Sequence, residues 1–294
     1  MFHLARQKLT DENHYKIEKT RRKQIPEPLH FNRERNLPIA TIFGKRGFFV
    51  FPSVQSYDMF KRTNFNLSVL DADGVGVPLF HIVQNYNIIG QIVGKSPNFT
   101  IFKYVLQRAQ DPPLYTKSKV ICEDKAFRLC KIPFCEIYSQ LSFRDTKYEF
   151  FYPSRSQSVN NYQMVRQNNF RDLDVCLNGM NFCWHVKVLS DHYRLMYLDE
   201  NTPSDSQTNK QKQTQRKIVS PDFVVGHYKR DFSNILPRSV AKSSNLIIGE
   251  NSRADCLGIS SVPELTEMLA CQGALVEYLE HIRRRKDDKN NLRM

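Results

Sequence analysis

The sequence predicts a mainly β protein, a closed antiparallel β-barrel with an apolar C-terminal helix in or against its interior. Three observations carry that reading. From Leu37 onward, short β-branched and aromatic runs alternate with Gly, Pro, Asn, Asp and Ser, the punctuation of antiparallel strands. Several runs have period two: in "FNLSVL", Phe65, Leu67 and Val69 share one face while Asn66 and Ser68 take the other. The last apolar stretch of the chain carries helix signals but no polar face, so it demands burial on every side. Many strands followed by one such helix suggest a barrel closed around it.

Along the chain, residues 1–36 form a basic arm, in which "KTRRKQIPEP" ends in the breakers Pro26 and Pro28. A barrel domain follows over 37–282. Its strand-like runs include "LPIATIF", "GFFVF", "VPLFHIVQ", "NFTIFKYVL", "AFRLCKI", "FCEIYSQLSF", "KYEFFY", "NFCWHVKVL", "YRLMYL", "DFVVGHYK" and "NLIIG". The "DADG" at Asp71–Gly74 reads as a hairpin turn, because a calcium loop would need oxygen ligands where Val75, Val77 and Leu79 stand. "GQIVGKS", Gly90 to Ser96, has one residue too few between its glycines for a phosphate-cradling loop, and Pro97 stands where the helix should begin. It reads as a turn between strands. Residues 201–217 hold no aromatic or aliphatic side chain and predict a disordered insertion.

"SVPELTEMLACQGALVEYLEHIRRRK" begins with a capping box from Ser261 to Glu264, places Pro263 in the first turn and closes in basic residues. From Met268 to Val276 its only strongly polar side chain is Gln272. The predicted helix covers 261–282, with a basic tail at 283–294.

The net charge of +13 is unevenly placed. Residues 1–35 carry nine Lys/Arg against five Asp/Glu, 201–217 four against one and 281–294 six against two, which accounts for eleven of the thirteen charges. Such segments suit an anionic partner, a lipid surface or nucleic acid. No run reaches the roughly 18 apolar residues of a membrane span. The opening residues lack the apolar segment of a secretory leader, and seven singly placed Cys do not form a disulfide framework. These features predict a reducing compartment, cytoplasmic with membrane association, or alternatively the nucleus.

The segments "FNLSVLDADGVGVPLFHI" and "IIGQIVGKSPNFTIFKY", with the closing apolar helix, resemble the tubby-like C-terminal superfamily, which includes the LURP-one-related proteins and the phospholipid scramblases. The likeness spans roughly Leu37 to Ile282. It implies a closed barrel around the helix and a phosphoinositide site built from a Lys and an Arg after the glycine of the second segment. Matched from Gly90, those places hold Gln91 and Val93, which leaves Lys95 and Lys103 as substitutes. Lys103 can keep its ammonium wet at the barrel rim or outside, which would bring it close to Lys95.

The leading expectation is therefore a non-enzymatic module that docks on an anionic, phosphoinositide-type membrane surface or on a protein partner. Its candidate lipid- or phosphate-binding residues are Lys95, Lys103, Arg21, Arg22, Lys23, Arg283, Arg284 and Arg285. No cofactor or metal is expected, since Cys122, Cys130 and Cys135 match no common zinc spacing. A second reading is a nucleic-acid-binding or nuclear protein that uses the basic arms. A third is a hydrolase built on Cys183 and His185, which flank Trp184 on one strand face. The tripeptide Phe-Arg-Asp occurs twice, at 143–145 and 170–172, and reads as two local salt-bridged turns.

Overall fold

The structure, a computed structural model, describes residues 27–63, 71–86, 96–112, 118–153, 161–168, 170–186, 190–198, 223–231 and 240–291, with side chains up to 287. Arg21, Arg22, Lys23, the run at 64–70, the Gly90 turn with Lys95 and the insertion 201–217 lie outside these residues.

Thirteen strands form one antiparallel sheet. They are β1 (Arg33–Ile42), β2 (Phe48–Val50), β3 (Phe80–Gln84), β4 (Phe99–Arg108), β5 (Lys119–Glu123), β6 (Phe127–Leu141), β7 (Asp145–Phe151), β8 (Tyr162–Gln167), β9 (Leu173–Leu177), β10 (Met180–Val186), β11 (His192–Leu198), β12 (Phe223–Arg230) and β13 (Val240–Glu250). The order runs β4-β3-β2-β1-β13-β12-β11-β10-β9-β8-β7-β6-β5, and β4 also pairs with β6. That last pairing closes a barrel of twelve strands, with β5 laid against the first half of β6. Closure removes the open edges that would otherwise template aggregation.

Two runs that read as separate strands, either side of Pro133, are one strand, β6. The register between β4 and β6 shifts between Ile101 and Phe102, where Phe102 faces Pro133. A bulge there lets the sheet continue past a residue that cannot donate to the ladder. A short helix, α1 (Val54–Arg62), is a second difference. The Ser53 hydroxyl caps it by accepting from the Ser56 amide at 3.0 Å. Tyr57 and Phe60, three residues apart, bring their rings to 5.3 and 5.1 Å from Phe51 on the outer side of β1 and β2.

The C-terminal helix, α2 (Glu264–Asn291), is buried on all sides from Thr266 to Tyr278. Strands around the whole wall meet it. Tyr162 of β8 donates to the Met268 carbonyl, the Trp184 indole of β10 donates to Gln272 at 3.0 Å, and Tyr228 of β12 donates to Glu277 at 2.7 Å. Phe99 of β4 packs edge-on against Tyr278, and Phe48 of β2 against His281. Against β13 the approach is so close that a Cβ on Gly273 would stand 2.5 Å from Leu246 Cδ2. The apolar turns bury Met268, Leu269, Leu275 and Val276 completely or nearly so. Each such side chain contributes about 1.5–3 kcal/mol relative to exposure.

The helix starts against a buried ionic knot. Arg35 Nε donates to Glu250 Oε2 at 2.7 Å, and its Nη1 donates to the Pro52 carbonyl at 2.9 Å; both residues are almost fully buried. Thr266 and Ser252 donate to the same carboxylate, which joins the helix to β1 and β13. The turn at Asp71–Gly74 is bound to this end as well: Asp73 Oδ2 accepts from the amides of Leu257 at 3.1 Å and Gly258 at 2.6 Å. The expected capping box does not form as read. The Ser261 hydroxyl turns to Asp73 and to the Gly258 carbonyl, within a 3-10 turn at Ile259–Ser261 that precedes α2.

Candidate docking surface

The strand registers fix which connections share an end of the barrel. Ile42 faces Val240, Gln84 faces Phe99, Leu141 faces Thr146, Asp145 faces Gln167, and Val186 faces Tyr193. Because Phe99, Phe48 and Tyr193 meet α2 at Tyr278, His281 and Glu280, this is the end where the helix leaves the barrel. The β1–β2 hairpin, the ends of β3 and β4, the β6–β7 turn and the β8–β9 loop all open here.

The four most exposed large apolar side chains among the described residues occupy this end: Phe143 at 97%, Phe43 at 87%, Leu141 at 81% and Tyr86 at 67%. Phe170 is exposed here as well. Cations stand among them. Lys45, Arg46 and Arg144 are exposed in the same turns, Lys147 follows on β7, and Arg285 and Lys286 are exposed where the helix emerges.

Local hydrogen bonding holds the apolar tips outward. In the β6–β7 turn the Ser142 hydroxyl donates to Asp145 at 2.6 Å and accepts from the Arg144 and Asp145 amides. Asn168, at the end of β8, donates from Nδ2 to the Ser142 and Phe143 carbonyls at 3.1 and 2.9 Å. Its amide donates to the Arg144 carbonyl at 3.0 Å. These bonds consume the turn's backbone groups, leaving the Phe143 ring in solvent without local packing. In the β1–β2 hairpin, Gly44 and Gly47 supply the positive φ that tight turns need. Arg46 lies over the Tyr86 ring at 5.9 Å.

The two Phe-Arg-Asp tripeptides thus lie in adjacent loops, but their charged residues have different duties. Arg171 donates to Glu280 of α2 at 3.0 Å, and Asp172 accepts from the Val186 amide at 3.1 Å and bonds His185 Nδ1 at 3.0 Å. In the first tripeptide Arg144 stays exposed. Glu280 also accepts from Tyr193 at 2.5 Å and from Arg283. Burial alone would raise the Glu280 carboxyl, but Tyr193, Arg283 and Arg171 hold it below its ordinary value.

Several residues expected to meet lipid have intramolecular duties. Lys103 points inward and pairs with Glu267 near the start of α2, with its ammonium 5.3 Å from the Phe134 ring. It does not stand wet at the rim, because the buried Glu267 carboxylate requires a counter-ion. Arg283 bonds Asp191 at 2.6 Å and Glu280 at 2.8 Å, and Arg284 reaches Glu277 at 3.3 Å. The segment read as a basic tail continues α2 to Asn291, so these arginines fasten the helix exit. Of that triplet, Arg285 is the one exposed to solvent. Lys95 lies outside the described residues, between the end of β3 and the start of β4, both of which stand at this end.

Cys183 and His185 share the outer face of β10, as their spacing requires, while Phe182 and Trp184 point to the core. Asp172 supplies the orienting carboxylate that the sequence did not reveal. Cys183, however, is buried at the wall, a poor position for a nucleophile that must meet substrate. No group of three potential ligands that could hold a metal occurs among the described residues.

A helix-filled antiparallel barrel with an apolar, cationic rim is the class of molecule that these observations define. The sequence profile of the DIA1 family matches residues 32–285, and the chain belongs to that family. It is 62% identical over 283 residues to the uncharacterized protein YOR385W of Saccharomyces cerevisiae, covering 95% of this chain and 98% of that one. It is 37% identical over 297 residues to Protein DIA1 of the same yeast, covering 95% and 88% respectively. A third yeast protein, the uncharacterized YNL165W, is 27% identical over 190 residues, covering 59% of this chain and 46% of its own length. No solved structure matches.

Proposed function

We propose that this protein is a non-enzymatic module that docks on anionic membrane surfaces through the end where α2 emerges. The observation that carries the reading is the concentration there of Phe43, Tyr86, Leu141 and Phe143, the most exposed large apolar side chains described, among Lys45, Arg46, Arg144, Arg285 and Lys286. Aromatic side chains partition into the headgroup boundary, and each basic residue near an anionic leaflet adds about 1 kcal/mol. Together they make weak, reversible attachment. No helix described is long and apolar enough to cross a membrane, so attachment in this reading is peripheral.

The tubby-like relationship belongs to the same proposal. A barrel closed around a C-terminal helix is what that resemblance implies. Phosphoinositides are the lipids this reading favours, with the exposed Arg285 among the cations that meet them, Lys95 expected to join it from outside the described residues, and Lys103, Arg283 and Arg284 serving the fold. The basic arm with Arg21, Arg22 and Lys23 adds charge to the attachment. A protein partner with an acidic, apolar surface is the second reading, favoured by the rigid presentation of Phe143 on the Asn168 clamp.

Vesicle co-sedimentation tests the proposal. The full chain should bind vesicles that contain anionic lipid, bind neutral vesicles at least tenfold less, and lose binding as salt rises from 50 to about 500 mM. Equal binding to neutral and anionic vesicles, or binding to neither, contradicts it.

A further inference from the structure

On the outer wall, next to the β1–β2 hairpin of the rim, β2, β3, β4, β5 and β6 bring together a second cluster. The His81 imidazole stacks on Phe49 with centroids 4.1 Å apart and planes at 6°. Its Nε2 donates to the Arg46 carbonyl at 2.8 Å, which leaves Nδ1 as an acceptor. Lys131 Nζ occupies that acceptor at 2.5 Å. The same amine lies 4.5 Å from the centroid of Phe102 and 5.8 Å from that of Tyr104. Lys119 is its cross-strand partner on β5, and Lys45 of the β1–β2 hairpin acts on it electrostatically. No carboxylate among the described residues forms an ion pair with Lys131.

Apart from the aromatic faces and the His81 Nδ1 acceptor, the groups around this amine disfavour its charge. Burial first, then Lys119 and Lys45, lower its pKa from 10.5 to about 8. His81 is held neutral, lowered to about 4 mainly by burial. Tyr104 is pushed up to about 12 by burial and stays protonated. The result is an amine with an appreciable neutral fraction, half-buried against aromatic walls and flanked by two cations. A desolvated lysine beside other cations is the arrangement that makes an amine nucleophilic towards carbonyl carbon.

We infer that Lys131 is a carbonyl-reactive amine whose site takes small anionic aldehydes, with Lys45 and Lys119 engaging the phosphate or carboxylate of the reactant. The Nζ lone pair attacks the aldehyde carbon, a proton passes from nitrogen to oxygen, and the carbinolamine loses water to leave an imine. One carbon–nitrogen double bond replaces the carbonyl, one water departs, and no oxidant or reductant is consumed. His81 is a positioning residue: its Nδ1 holds Nζ on the outer wall.

The test uses the full chain with pyridoxal 5′-phosphate as the anionic aldehyde and 5′-deoxypyridoxal, which likewise keeps its aldehyde open, as the counterpart without the phosphate. Borohydride reduces the imine to a stable amine, and peptide mapping locates it. At limiting reagent and pH 7.5, Lys131 should be labelled at least tenfold more than the exposed Lys147, although Lys131 is the less accessible. 5′-Deoxypyridoxal should label it severalfold less, and so should pyridoxal phosphate in the Lys45→Ala/Lys119→Ala variant. The labelling rate should rise with a midpoint near pH 8, not near 10.5. Labelling spread over lysines according to exposure, or a Lys131 preference equal for both aldehydes, overturns the proposal. Because site preference is read in the wild-type chain, the outcome does not depend on a variant folding.

Discussion

The two ends of the barrel are opposites in how they treat charge and apolar surface. Where α2 starts, Arg35, Glu250, Thr266 and Asp73 are drawn into a network whose polar groups answer one another inside the protein. Where α2 leaves, Glu280 and Glu277 are satisfied by tyrosines and arginines, but Phe43, Tyr86, Leu141, Phe143 and several cations are left to solvent. One end is organised for stability; the other withholds surface that folding does not use. Substitutions should therefore separate into two classes, those that unfold the protein and those that leave it folded but unable to dock.

The largest expected effect lies between the ends. Leu269→Asp or Leu275→Asp would place a carboxylate in a helix with no wet face, at a cost of several kcal/mol, and should abolish the cooperative thermal transition followed by circular dichroism. A well-folded Leu269→Asp protein would mean that the helix is not enclosed. Next comes Arg35→Ala at the helix-start end. It leaves Glu250 buried with Arg33 at 3.3 Å as its remaining guanidinium partner, and should cost about 3–5 kcal/mol in denaturant titrations. Gly273→Val should cost about 1–3 kcal/mol, because β-branched carbon has no room beside Leu246.

Smaller still is a dependence on pH. His81, His227 and His281 are all lowered, in each case first by burial, so each is neutral in the fold and binds a proton more readily when the chain unfolds. Their contribution is present above pH 6.5 and lost as pH falls, for His81 towards about 4. The melting temperature should drop by several degrees between pH 7.5 and pH 5, and His81→Phe should flatten that slope. A melting temperature that rises on acidification would contradict the assignment.

Much of the barrel was legible because its strands are written locally. The short apolar runs "NFTIFKYVL" and "NLIIG" mark β4 and β13, and the all-round apolarity of 268–276 announces burial whatever surrounds it. The partner of Gln272 was not legible, since Trp184 lies 88 positions away. Nor was the Arg35–Glu250 pair, 215 positions apart. Helix α1 was missed because nine residues with two buried rings give too short a periodic signal, although Ser53 stood in the capping position. The basic run at 283–286 reads correctly as charge but not as duty: whether an arginine is free depends on Asp191 and Glu280, which only closure of the barrel brings beside it. The two Phe-Arg-Asp tripeptides were visible as text, yet their adjacency follows from the pairing of β7 with β8.

The most direct test of the docking end is the Phe43→Ser/Phe143→Ser variant, compared with the wild type for binding to vesicles that contain anionic lipid. Both rings are solvated and neither belongs to the buried core, so stability should stay within about 0.5 kcal/mol of the wild type. Binding should fall at least tenfold at the same salt and lipid composition. An unchanged melting temperature with unchanged vesicle binding would show that the exposed aromatic rim is not the surface that meets the membrane.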